Sequence, residues 1–216
     1  MPFDLTLAQL AGFLLAALLI TLAPGPDNLS VLSLGMARGR RAGIGFGTGC
    51  ALGCLTHTLW ASLGVSAALA ASPTAFAALR MAGAAYLCWL GWQALRAAGR
   101  ETRIAATAAT GSDTTPLAVH LRRGFIANAI NPKVALFFLA FLPQFVATGS
   151  PYAMAQSAIL GILFAVQTML VFGLIGWFAG HIGGWLRRSE GADRLMNRAT
   201  GLLFIGLGLR LAAETH

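Results

Sequence analysis

Residues 5–23 carry no charged side chain, and apolar character resumes after a short interruption and runs on to residue 36. A spanning helix needs about 20 mainly apolar residues, so residues 5–36 read as a membrane segment, I. The interruption is Pro24-Gly25-Pro26-Asp27-Asn28. Proline lacks an N–H and clashes with the carbonyl one turn back, so a helix kinks or breaks there. Lipid cannot satisfy the freed carbonyls, and irregular backbone at membrane depth is tolerated only against protein or a wet cavity. An ordinary proline kink is the plainer reading. Two prolines around a glycine, followed at once by Asp27 and Asn28, favour a broken helix lining a cavity.

Five further apolar stretches follow: II at 42–70, III at 74–95, IV at 124–147, V at 152–180 and VI at 199–213. The predicted fold class is an all-α membrane protein of about six transmembrane helices. Composition agrees, since only 10% of residues are charged against about 25% in soluble domains. The net charge of +8 does not indicate nucleic-acid binding, because the cations sit in short loops between apolar runs. Arg38, Arg40 and Arg41 separate I from II. Arg96, Arg100, Arg103, Arg122 and Arg123 separate III from IV. Arg187, Arg188 and Arg194 separate V from VI, and Arg198 opens VI. The loops on the other side lack Lys and Arg. The positive-inside rule therefore puts the Arg-rich loops in the cytoplasm, with both termini outside. Cys50, Cys54 and Cys88 are odd in number and lie in apolar segments, which argues against a disulfide framework.

The Ala/Thr/Ser-rich residues 99–120 read as a cytoplasmic linker within one integral membrane domain. They divide repeat one, 5–98, from repeat two, 121–213. Pro26-Asp27 in I has a counterpart in Pro132-Lys133 in IV, and Arg80-x-x-Gly83-x-x-Tyr86-Leu87 resembles Arg198-x-x-Gly201-x-x-Phe204-Ile205. Three spans per copy would turn the second copy upside down. Inverted three-helix repeats with proline-broken segments, here I and IV, point to a secondary transporter's binding site.

Asp27 is the sole acidic residue well inside a predicted span. A carboxylate at membrane depth costs several kcal/mol (roughly 2.5–3.5 on translocon scales), so it is paired, protonated or in a water-filled path. Asp27 or Asn28 could simply cap the half-helix after the break. The same carboxylate could also hold a substrate ammonium or a proton. Lys133 is the mirror feature. It could snorkel to the surface, or face the same cavity and bind a substrate carboxylate. Asn28, Asn128 and Asn131 could add neutral hydrogen bonds, and Pro24, Gly25, Pro26 and Pro132 are the candidate hinges. His57 could shuttle protons with Asp27 or simply bond between helices. Gln167 and Thr168 are further polar candidates. Cys50, Cys54 and His57 share a helix face but lack a fourth ligand, so no metal site is expected. Gly45, Gly49 and Gly53 in II, and Gly176 and Gly180 in V, are spaced for close helix packing, with a homodimer seam as the alternative use. No G-x-S-x-G and no H-E-x-x-H occurs, so no catalytic residue and no cofactor is expected.

The stretches TLAPGPDNLSVLSLGMARGRRAGIGFGTGCALG, AGAAYLCWLGWQALR and GFIANAINPKVALFFLAFLPQFV resemble the LysE/RhtB superfamily of amino-acid exporters. The resemblance covers segments I–IV and rests on PGPD and NPK. It implies a multi-pass inner-membrane transporter that exports amino acids or derivatives, with protons as coupling ion. Many members carry Asn at the place of Asp27. Related branches move metal cations, which makes a metal-cation exporter the alternative function.

Overall fold

Hydrogen-bond demand and small-residue spacing explain most of the architecture. The computed structural model describes residues 5–71, 73–97, 114–146, 150–188 and 191–213. Among these residues it is all-helical, with eight α-helices. Helix α1 is Leu7–Leu22, opened by Thr6 and Gln9 in a reciprocal capping box. Helix α2 is Pro26–Arg38. It turns at Gly39, whose φ of 88° favours glycine, into α3, Arg40–Ala71. Helix α4 is Pro73–Ala97, and α5 is Leu117–Ala129. Helix α6, Pro132–Leu136, runs on through a π-helical turn, Phe137–Phe141, and a 3-10 turn, Leu142–Phe145. Helices α7, Ala153–Arg188, and α8, Ala192–Ala213, complete the chain.

Three boundaries differ from the expectation. Helix α5 begins at Leu117, inside the stretch read as linker. Its first turns pack on α3, where a Cβ on Gly45 would lie 2.6 Å from Leu117 Cδ1, so a tertiary contact overrides a locally loop-like composition. Arg122 and Arg123 are therefore exposed helical residues, not loop residues. Helices α7 and α8 likewise extend beyond the apolar stretches of segments V and VI, toward the arginines. Arg100, Arg103 and the linker up to 113 lie outside the described residues.

Large apolar side chains face outward as well as inward, and a set of polar ones is buried. Leu59, Trp60, Leu170, Leu174 and Leu202 are exposed, while Asp27, His57, Asn128, Asn131, Lys133 and Thr168 are buried. Such a distribution suits lipid as the solvent, where apolar surface is not penalised and polar groups must be satisfied internally. By length and composition, Ala153–Trp185 suffices to cross a membrane alone. Two bent pairs pass the same test jointly: Leu7–Leu22 with Pro26–Arg38, at 57°, and Leu117–Ala129 with Pro132–Phe145, at 50°. Helices α3, α4 and α8 contain 32, 25 and 22 residues.

Helix α3 sits between α5 and α7, and α4 packs along α8. Glycines set the close approaches. A Cβ on Gly53 would fall 2.8 Å from Asn128 Cβ, and one on Gly49 would collide with the Leu121 carbonyl. A Cβ on Gly176 would lie 2.7 Å from the Ile44 nitrogen. Gly180 is different. A Cβ there meets nothing within 4 Å, so its spacing marks no close contact among the described residues. The paired positions make α3 parallel to α5 and antiparallel to α7, with α4 antiparallel to α8. Arg38, Arg40, Arg41, Arg96, Arg122, Arg123, Arg194 and Arg198 therefore gather at one end of the bundle. There the Arg40 guanidinium lies 4.8 Å from the Trp177 ring centroid, and that of Arg96 lies 3.9 Å from Trp92.

Candidate functional site

The two bent segments are built alike. In the first, Pro26 takes the first position of α2, where a missing N–H costs nothing. In the second, Pro132 takes the first position of α6. Asn131 caps α6, its side-chain oxygen accepting from the Lys133 amide at 3.0 Å. The residue after each proline carries charge, Asp27 in one and Lys133 in the other.

Each break leaves carbonyls at the end of one helix without an intrahelical partner. At the end of α1, the Lys133 ammonium donates to Ile20 O at 3.1 Å and to Ala23 O at 3.0 Å. Asn28 Nδ2 donates to Thr21 O at 2.6 Å. A cation here also suits the negative end of the α1 dipole. In return, Asp27 Oδ2 accepts from Asn128 Nδ2 at 2.8 Å and from Asn131 Nδ2 at 2.9 Å. Asp27 stands in the first turn of α2, where the dipole favours negative charge. Each charged residue thus follows its own break and binds the end of the other. Asp27 and Lys133 form no direct ion pair.

His57 Nε2 donates to the Asn128 carbonyl at 2.8 Å, which ties α3 to the end of α5. Its ring lies 5.9 Å from that of Phe138. Cys54 Sγ lies 3.4 Å from the Cys50 carbonyl oxygen, and among the described residues no group of three or more His, Cys, Asp or Glu could hold a metal ion.

Two cavities meet at Lys133. A groove of about 500 Å³ runs from the first break along α2, α4 and α8 toward the arginine-bearing end. A small inner chamber of about 10 Å³ is lined by Thr21, Asp27, Asn128, Lys133, Phe164 and Thr168, among others. It has room for about one water. Thr21 Oγ1, Asn128 Oδ1 and Thr168 Oγ1 are buried around it with no protein partner. Lys133 lines both spaces, and Asn131 lines the groove. Asp27 and Asn128 line the inner chamber. Gln167 lines neither.

A layer of packed rings extends from Phe164 on the chamber wall. Phe164 packs on Phe137 and Phe138 at 5.3 and 5.0 Å, Phe137 stacks on Phe141 at 5.2 Å, and Phe13 meets Phe145 at 5.5 Å. The sequence reading missed this layer and the groove wall formed by Tyr86 and Trp89. The Phe137-Phe138-x-x-Phe141 spacing was visible, but an apolar run at membrane depth gives no sign of which rings face inward.

The family model for the LysE type translocator matches residues 18–215, which include both breaks. The chain belongs to that family. It is a membrane transporter by family. A relative in Pseudomonas aeruginosa, described as an uncharacterised membrane protein, is 30% identical over 203 residues, covering 94% of each chain. The homoserine/homoserine lactone efflux protein of Salmonella typhimurium is 31% identical over 205 residues, covering 95% of this chain and 96% of that one. The leucine efflux protein of an Enterobacter species is 29% identical over 206 residues, covering 93% of each. No solved structure matches the chain. The LysE match spans all the residues that brace the two breaks, from Ile20 to Lys133.

Proposed function

We infer that this chain is a secondary transporter that exports amino acids or their derivatives from the cytoplasm. The observation that carries the reading is the reciprocal bracing of the breaks by Asp27 and Lys133, an acid and a base at membrane depth. Six spans form two inverted three-helix repeats in a bacterial-type inner membrane, with the arginine-bearing end cytoplasmic and the termini outside. The names of the Salmonella and Enterobacter relatives support an amino-acid substrate.

Substrate enters the groove from the arginine-bearing end. Lys133 receives its carboxylate. Asp27 carries the coupling proton, because protonation at Oδ2 would remove an acceptor that two amides now share and so loosen the brace. His57 already donates to the Asn128 carbonyl and acts as a positioning residue. Bending at Pro24-Gly25-Pro26 and Pro132 then opens the ring layer to the outside. An efflux assay on Asp27→Asn and Lys133→Ala proteins that still reach the membrane tests this. Both should lose efflux. Normal efflux from both would sink the site assignment.

A further inference from the structure

The groove is electrically lopsided. Among the described residues that line it, Lys133 is the single charged one. Asp27 lies behind it in the inner chamber, its Oδ2 already held by Asn128 and Asn131. A free α-ammonium lodged in the groove would stand beside a cation with no counter-charge among the lining residues, which is costly. A carboxylate meets the opposite situation. Two of the three Lys133 ammonium hydrogens go to Ile20 and Ala23, leaving the third for a ligand.

The rest of the lining suits a neutral amide and an apolar body. Leu29, Leu32, Tyr86, Trp89 and Phe204 supply apolar and aromatic wall. Gln93, Asn131 and Asn197 supply uncharged amides that can both donate and accept. The volume of about 500 Å³ lies within the usual range for small-molecule sites, about 300–1,000 Å³.

Building on the export reading above, we propose that the groove takes N-acylated apolar amino acids in preference to free zwitterions. Acylation turns the ammonium into an amide and leaves the carboxylate for Lys133.

The test is counterflow with the full chain in proteoliposomes, using leucine, homoserine, N-acetyl-leucine, N-acetyl-glycine and N-acetyl-leucine methyl ester. N-acetyl-leucine should half-saturate at about one tenth of the leucine concentration, as expected for relief of one unpaired charge beside a cation. The methyl ester, with no carboxylate, should not compete. Trp89→Ala and Tyr86→Ala should weaken N-acetyl-leucine more than N-acetyl-glycine, which has no side chain for that wall. Leucine or homoserine moved as well as N-acetyl-leucine, or an ester that competes equally, overturns the preference and leaves export standing. No counterflow of any compound overturns both.

Discussion

The Lys133 ammonium and the Ala23 carbonyl belong to different bent segments, yet they meet at 3.0 Å. The same ammonium reaches Ile20 O, so one side chain satisfies two carbonyls at the end of α1. Lys133 is therefore a structural cap as well as a candidate substrate ligand.

That double duty predicts a stability cost for Lys133→Met. Two buried carbonyls lose their donor, at about 1–3 kcal/mol each, and Asp27 loses a nearby buried counter-charge. Thermal melting in detergent should show a clear drop. Adding Asp27→Asn should recover part of it, because the pair share one chamber, with a coupling of about 1 kcal/mol or more in a double-mutant cycle. Efflux should stay lost in the double variant. Strict additivity of the melts would contradict the coupling.

Gly25→Ala is expected to act through Lys133. A Cβ on Gly25 would lie 2.9 Å from Nζ, while its φ of −168° is open to any residue. Membrane level should hold and efflux should fall about tenfold or more, since a displacement of this size at a site costs rate steeply. Unchanged efflux would show that the ammonium can move aside freely.

His57→Gln should retain most efflux, because a glutamine amide can still donate to the Asn128 carbonyl, whereas His57→Ala should not. Efflux measured across pH in both variants checks this. Loss in both would return the ring to a proton-carrying role.

Two glycines with the same apparent spacing should behave oppositely. Gly53→Ala would press on Asn128 and on the Phe125 carbonyl, both at 2.8 Å, and should destabilise by about 1–3 kcal/mol. Gly180→Ala meets nothing among the described residues and should be neutral or stabilising by up to about 1 kcal/mol. Parallel melting curves decide it. A destabilised Gly180→Ala would point to a contact with a second copy.

Pro24, Pro26 and Pro132 announce the breaks in the sequence because a missing N–H acts locally. The charged residue after each break was equally visible. The partners were not. Lys133 bonds to backbone 113 and 110 residues away, and carbonyls carry no sequence signature. The separation of Asp27 from the groove was hidden for the same reason, since it depends on where Asn131 and Lys133 stand between the two spaces. Leu117–His120 looked like linker because its neighbours are Thr- and Ser-rich, and only the glycine face of α3 reveals it as helix.

Interrupted membrane helices elsewhere recruit sodium from the medium to quiet their bare carbonyl ends. Here the positive charge comes on a four-carbon leash. It cannot diffuse away, and its occupancy does not follow the salinity outside. A cell that swaps its surroundings from brine to fresh water would find this joint unaltered.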